Sequence, residues 1–269
     1  MITPTFHLIG LPTDCNSSFA RGPAAAPAAI REALWSDRGN LAAEDGQEIG
    51  HDFLLEDRGD LPLAETPDDD AIIRNAVTES LSAGAMPILL GGDHAVSFPI
   101  VQAIAAKHGP LSILHFDAHP DLYDDFAGNP RSHASPFARI LEAGLCRRLV
   151  QVGIRTLNRH CREQAARFGV EIVPMADFTP GKVPVLDGPL YISLDLDGFD
   201  PSEAPGVSHP EPGGLRVREV LSVLHAQRGQ IVGADVVELN PRFDAHDRTA
   251  ILAAKLVREV AATAARNLR

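Results

Sequence analysis

Basic residues are in short supply: Lys and Arg number 24 against 36 Asp and Glu, a formal net charge of −12. Such a chain lacks the positive surface that nucleic acid or an anionic membrane would need, so neither is expected as a partner. Cysteine is sparse too. Cys15, Cys146 and Cys161 are scattered, odd in number and without zinc spacing, which excludes a disulfide scaffold and points to reduced thiols. No apolar run reaches membrane-spanning length, and no basic-plus-apolar signal opens the sequence. A cytoplasmic protein is therefore expected. What remains is ordinary globular usage, 45% hydrophobic and 22% charged in 269 residues, ample for a full core. No internal repeat or low-complexity tract divides it, so a single domain over 1–269 is expected.

Short β-rich runs alternate with helical ones. That pattern predicts an α/β fold of three αβα layers around a mostly parallel sheet. Strands are expected near 6–11, 53–56, 86–90, 111–116, 149–154, 170–173, 190–194 and 231–237. Helices are expected over 23–35, 71–83, 94–107, 133–143, 159–168, 217–227 and 246–267.

Polar residues gather where those apolar runs end. Asp117, His119 and Asp121 alternate in Leu114-His-Phe-Asp-Ala-His-Pro-Asp121, and Asp195 and Asp197 alternate in Leu194-Asp-Leu-Asp197. Alternate residues of an extended chain point the same way. Carboxylates and imidazoles so gathered would repel, or stay badly desolvated, without a cation between them. His94 follows another such run in Leu89-Leu-Gly-Gly-Asp-His94, and Glu238 ends the last one. In open parallel sheets ligands bind beyond the carboxyl ends of the strands. The mixed donor set suits two divalent metals such as manganese, iron, nickel or zinc, and the absence of thiolates argues against structural zinc. The Asp carboxylates would neutralise two such ions, and metal-bound water ionises near neutral pH.

His133 lies in a loop close enough in sequence to return to the site as a general acid/base, or else stays on the surface at a helix start. Glu238 could hold a cationic group or form a simple ion pair. His115, His209 and His246 are expected to be core, loop and helix-start histidines. Ser132 and Ser135 lack a nucleophile-elbow context, which argues against serine catalysis.

Gly91-Gly-Asp-His94, Asp117-Ala-His-Pro-Asp121 and Ser193-Leu-Asp-Leu-Asp-Gly-Phe-Asp-Pro201 resemble the three signatures of the ureohydrolase (arginase/agmatinase) family. Ser132-His-Ala-Ser-Pro-Phe, Ala204-Pro-Gly-Val-Ser-His-Pro-Glu-Pro-Gly-Gly214 and Gly233-Ala-Asp-Val-Val-Glu-Leu-Asn-Pro241 look nearest to plant-type arginases and their bacterial relatives. The resemblance implies an arginase-like fold and two Mn2+ per subunit, with Ni2+ as the alternative. One ion would take His94, Asp117, Asp121 and Asp195, and the other His119, Asp117, Asp195 and Asp197. It further implies that Asp121 orients the nucleophile, His133 shuttles a proton and Glu238 holds the guanidinium. The implied reaction hydrolyses a small cationic guanidino substrate to urea and an amine. Arginine is the first choice and agmatine the second, then guanidinobutyrate or guanidine, with a non-catalytic member as the rival of another class. Homotrimers or homohexamers are implied by the same likeness. Tyr123 stands where animal-type arginases carry an Asn that reads the substrate carboxylate. Arg131 nearby could pair with that carboxylate, but a solvated Arg131 is expected.

Overall fold

The computed structural model describes residues 3–268. Eight strands form one sheet: β1 (Thr5–Gly10), β2 (Leu54–Asp60), β3 (Met86–Leu90), β4 (Leu111–Phe116), β5 (Cys146–Val152), β6 (Glu171–Val173), β7 (Leu190–Asp195) and β8 (Ile231–Val237). Their order is β2-β1-β3-β8-β7-β4-β5-β6, and every pairing is parallel. The central strands are buried end to end, as mostly apolar strands covered on both faces are, and the few polar residues in them, such as Ser112, His115 and Asp235, are buried too.

Seven α-helices supply the covering layers: α1 (Ala26–Leu34), α2 (Asp69–Ser82), α3 (Ser97–His108), α4 (Pro136–Glu142), α5 (Arg159–Phe168), α6 (Val217–Ala226) and α7 (Arg248–Asn267). Side chains of α1, α6 and α7 pack with Leu114, Phe116, Ile192 and Leu194 on one face. Those of α2, α3, α4 and α5 pack with Ile113, Tyr191 and Val237 on the other. Alternation along β4 and β7 sends neighbouring residues to opposite cores. None of the described helices is long and apolar enough to cross a membrane.

Several boundaries differ from those expected, for local reasons. The helix expected from Pro23 begins as a 3-10 turn over Pro23–Ala25, and α1 starts at Ala26. The helix expected from His94 likewise opens with a 3-10 turn, His94–Val96, before α3. The helix expected from His133 starts only at Pro136, whose fixed φ and missing N–H suit a first helical position. His133 is thereby left in the preceding loop. The expected strand at 53–56 runs on through Glu56-Asp-Arg-Gly-Asp60 as an exposed, charged edge. At the last helix, His246 (φ 61°) and Asp247 (φ 56°) break the helical path, and α7 begins at Arg248.

The strand order matters for function. β3, β8, β7 and β4 are adjacent at the sheet centre, although the chain reaches β4 before it returns to β7 and β8. Their carboxyl ends deliver His94, Glu238, the Asp195/Asp197 pair and the Asp117–Asp121 segment to one crevice.

Candidate metal centre

Each ligand loop is held by close backbone packing. A Cβ on Gly92 would lie 1.6 Å from Thr13 O, and one on Gly198 would lie 2.8 Å from Asp117 N. Only glycine lets these segments approach so closely. Asp121 (φ 50°) and Glu238 (φ 66°) adopt left-handed backbone that non-glycine residues rarely take. Strain of this kind persists where the surroundings enforce it, and here it falls on two expected site residues.

The six expected ligands form two groups. Donor atoms of His94, Asp117, Asp121 and Asp195 lie within 4.8 Å of one another, as do those of Asp117, His119 and Asp197. Asp117 belongs to both. Asp195, which the resemblance places in both, joins only the first at that distance, and its Oδ1 accepts the Asp197 N–H at 2.8 Å. All are buried except His119, which is half-buried at the opening.

His94 reveals what the first group is shaped for. Its Nε2 pairs with Ser193 Oγ at 2.9 Å, and that hydroxyl donates to Asp235 Oδ1 at 2.7 Å. With its proton committed to Asp235, Ser193 accepts from Nε2–H, so in the neutral imidazole that a metal requires the lone pair of His94 is on Nδ1. Nδ1 is buried and makes no hydrogen bond, yet Asp117, Asp121 and Asp195 each place an oxygen 2.9–3.3 Å from it. A lone pair facing three carboxylates is repulsive unless a cation lies among them. Oxygen and imidazole donors suit a divalent first-row metal.

The titration of the cluster carries the same tension. Burial, then the charges of Asp197 and Asp117, pushes Asp195 well above the usual carboxylate range. Asp197 rises to about 6, mainly through burial. Burial alone would raise Asp117, but the imidazoles of His115, His119 and His94 hold it well below that range. Burial alone would lower His94, and the carboxylates of Asp117, Asp121 and Asp195 instead raise it strongly. So many carboxylates cannot all stay ionised side by side without positive charge between them.

His133 and Glu238 meet beside this cluster. His133 Nδ1 lies 2.9 Å from Glu238 Oε1, which also accepts the His94 backbone N–H at 2.9 Å. Burial would lower the His133 pKa, but the Glu238 charge outweighs it and lifts the imidazole to about 9. A cavity of about 310 Å³ opens here, lined by Ser18, Tyr123, His133, Asn158 and His209 besides the ligand side chains. That volume lies at the lower end for small-molecule sites.

Other placements depart from the sequence reading. His209, expected as an ordinary loop histidine, lines the cavity, with its ring 5.1 Å from that of His133 and 6.1 Å from that of His119. His115 lies in the core as expected, but its Nε2 also contacts Asp117 Oδ2 at 2.8 Å. Arg131, expected to be solvated, is half-buried, bonds Asp70 at 2.6 Å and lies over the Phe98 ring at 4.9 Å. Tyr123 lines the cavity, its hydroxyl bonded by Asn158 Nδ2. Ser18 carried no sequence signal for its place beside His133, because only the fold brings its loop there.

Comparison with known proteins decides the family. The Arginase family model matches residues 4–263. The chain belongs to the arginase family. It is 50% identical to Arginase 1, mitochondrial, of Arabidopsis thaliana, over 95% of this chain and 80% of that one. The fold superposes on an arginase from Medicago truncatula with a TM-score of 0.93 and 45% identity, covering 97% of this chain and 88% of the other. A mitochondrial agmatinase of Gallus gallus is 36% identical over 94% of this chain and 78% of its own. Arginase-family members are binuclear-metal hydrolases of guanidino compounds, and this member carries the candidate metal site described above.

The plant relatives overturn the expectation of a cytoplasmic protein. Several of them are named mitochondrial, or chloroplastic and mitochondrial, rather than cytoplasmic. Scattered reduced thiols and the lack of a long apolar run do not separate a cytosol from a reducing organelle matrix.

Proposed function

We propose that the protein hydrolyses arginine to ornithine and urea with two Mn2+ ions per subunit. Extensive likeness to plant arginases over nearly the whole chain carries the choice of arginine. In this reading His94, Asp117, Asp121 and Asp195 hold one ion, and His119, Asp117, Asp195 and Asp197 the other. Residues 1–269 work as one domain in a homotrimer or homohexamer, with neither nucleic acid nor membrane as partner.

Ions held there would supply an activated water nucleophile near neutral pH. Asp121 orients it towards the guanidinium carbon. Glu238 fixes the planar cation through a charge-assisted pair, while its Oε1 also anchors His133 Nδ1. His133 keeps its Nδ1 proton on Glu238, and the same pairing, which lifts the imidazole to about 9, favours a second proton at Nε2 near neutral pH. From Nε2 that proton passes to the departing amine, which a collapsing tetrahedral centre cannot expel as an amide anion.

Agmatine is the second reading, for a specific reason. Arg131, a candidate partner for a substrate carboxylate, is engaged with Asp70 and is not among the residues lining the cavity. Agmatine has no carboxylate to satisfy. Metal-stripped protein reloaded with manganese or nickel should release urea from arginine faster than from agmatine, guanidinobutyrate or guanidine. Faster turnover of agmatine would replace the first reading with the second, and no urea from any of them would remove both.

A further inference from the structure

His133 has a second partner besides Glu238. Ser18 reaches its Nε2 twice, through the backbone N at 3.2 Å and through Oγ at 2.8 Å. The serine sits in the loop between β1 and α1, is exposed, and lines the cavity. His133 itself is buried, 9% exposed.

The loop is held in place rather than merely nearby. Buried Asp14 accepts the Gly22 N–H at 2.7 Å, the Ala24 N–H at 3.1 Å and Arg21 Nε at 2.6 Å. Buried Asp93 accepts the Asn16 N–H at 2.8 Å. Asn16 in turn accepts the His133 backbone N–H through its carbonyl at 3.2 Å, and Asn129 Nδ2 through its side chain at 3.1 Å. Thus the loop that carries Ser18 and the loop that carries His133 are tied to one another two residues before Ser18.

The chemistry of the contact is informative. A backbone N–H only donates, so the Ser18 N–H contact belongs to the imidazole with a bare Nε2 and its proton on Nδ1 towards Glu238. A hydroxyl works either way. Ser18 Oγ–H donates to the bare Nε2, and after rotation Oγ accepts from a protonated one. Of the two Ser18 groups, only the hydroxyl can partner His133 in both states.

We infer that Ser18 is the positioning residue of the His133 acid/base cycle, holding Nε2 in line and joining it to solvent. This rests on the reading of His133 as proton shuttle. To charge His133, Ser18 gives its hydroxyl proton to Nε2 and takes one from a solvent hydronium or buffer acid on its outer side. One proton thus moves from solvent to imidazole and the serine is restored. Ser18 is exposed whereas His133 as a whole is 9% exposed, so the serine offers solvent an outer side.

Ser18→Ala, Ser18→Thr and the parent protein, each with metal content matched, test this. The alanine variant keeps the backbone N–H and loses only the hydroxyl. It should lose about tenfold in kcat with KM nearly unchanged, the effect expected of one hydrogen bond made as the proton moves. The proton inventory of kcat in H2O/D2O mixtures should change with it, and Ser18→Thr should restore both. Imidazole 15N shifts of His133 give a reading independent of turnover, and they should differ between the parent and the alanine variant. An unchanged kcat, a loss confined to KM, or identical His133 shifts in Ser18→Ala would each overturn the role of Ser18. A parent protein inactive on every guanidino substrate is a different failure, because it strikes the proposed function before any variant is compared.

Discussion

Asp235 and His94 are joined by one serine hydroxyl: Ser193 Oγ sits 2.9 Å from His94 Nε2 and 2.7 Å from Asp235 Oδ1. Asp235 is fully buried, and its other oxygen takes the hydroxyls of Ser97 and Tyr191, both at 2.5 Å. Three hydroxyl donors around one carboxylate keep its charge in the core, and that charge increases the basicity of His94 through Ser193. Ser193→Ala should therefore weaken metal binding about tenfold or more. Titrating metal-stripped protein against a competing chelator measures this, and equal affinities in parent and variant would show that the relay has no effect on the ligand.

His133 should separate from the metal ligands by experiment. His133→Asn removes the group that moves the proton, and should lower kcat by about 100-fold or more while both ions remain bound. His94→Asn should instead lower metal content first, with activity following. Metal stoichiometry measured beside kcat distinguishes the two. A His133→Asn protein that loses metal would place that histidine in the wrong role.

The metal cluster was legible because its signals are local. Parallel strands buried on both faces read as mostly apolar runs, so the ends of 111–116 and 231–237 could be located and the Asp and His residues after them marked the site, although they are gathered by a bend at 118–119, the left-handed Asp121 and a 3-10 turn over Leu196–Gly198 rather than by alternation in an extended chain. The edge strand β2 was only half visible, since Glu56-Asp-Arg-Gly-Asp60 pairs through its backbone while its side chains face solvent. Ser18 and His209 were invisible as site residues. Both lie in irregular loops with no periodicity, and their positions depend on contacts such as Asp93 to Asn16 that are set by the folded chain. The conformation of Arg131 was hidden for the same reason, because Asp70 is far from it in sequence.

Far from the cavity, Glu44 binds Arg218 and Lys255, and these partners hold its pKa at about 2. A carboxyl depressed on folding contributes stability that is present above its unfolded pKa of about 4.5 and is lost as pH falls through the folded value. Half-exposed ion pairs are weak, so Glu44→Gln should cost about 1 kcal/mol at pH 7, roughly 2 °C in Tm. The gap between parent and variant should close as pH is lowered from about 4.5 towards 2. Denaturant melts across that range would reveal it, and a gap independent of pH would assign the loss to packing instead.

Gly92 offers the sharpest test of how the fold holds the centre. Its Cα faces the Thr13 carbonyl so closely that an added Cβ would lie 1.6 Å from that oxygen. Thr13 O also accepts the Asp93 N–H at 3.1 Å, and Asp93 anchors Asn16, so the methyl group would push apart the segments that carry His94 and Ser18. A backbone atom cannot rotate out of the way as a side chain can. Overpacking of this kind costs about 1–3 kcal/mol, and the displaced His94 would leave the carboxylates of Asp117, Asp121 and Asp195 with a distorted donor set. Gly92→Ala should therefore lower the melting temperature and the metal content together. Gly46→Ala is the control, a left-handed glycine with open space around its would-be Cβ and no link to the centre. It should lose some stability through its backbone alone and keep its metal. If both variants retained metal equally, the tight packing at Gly92 would have no part in placing His94.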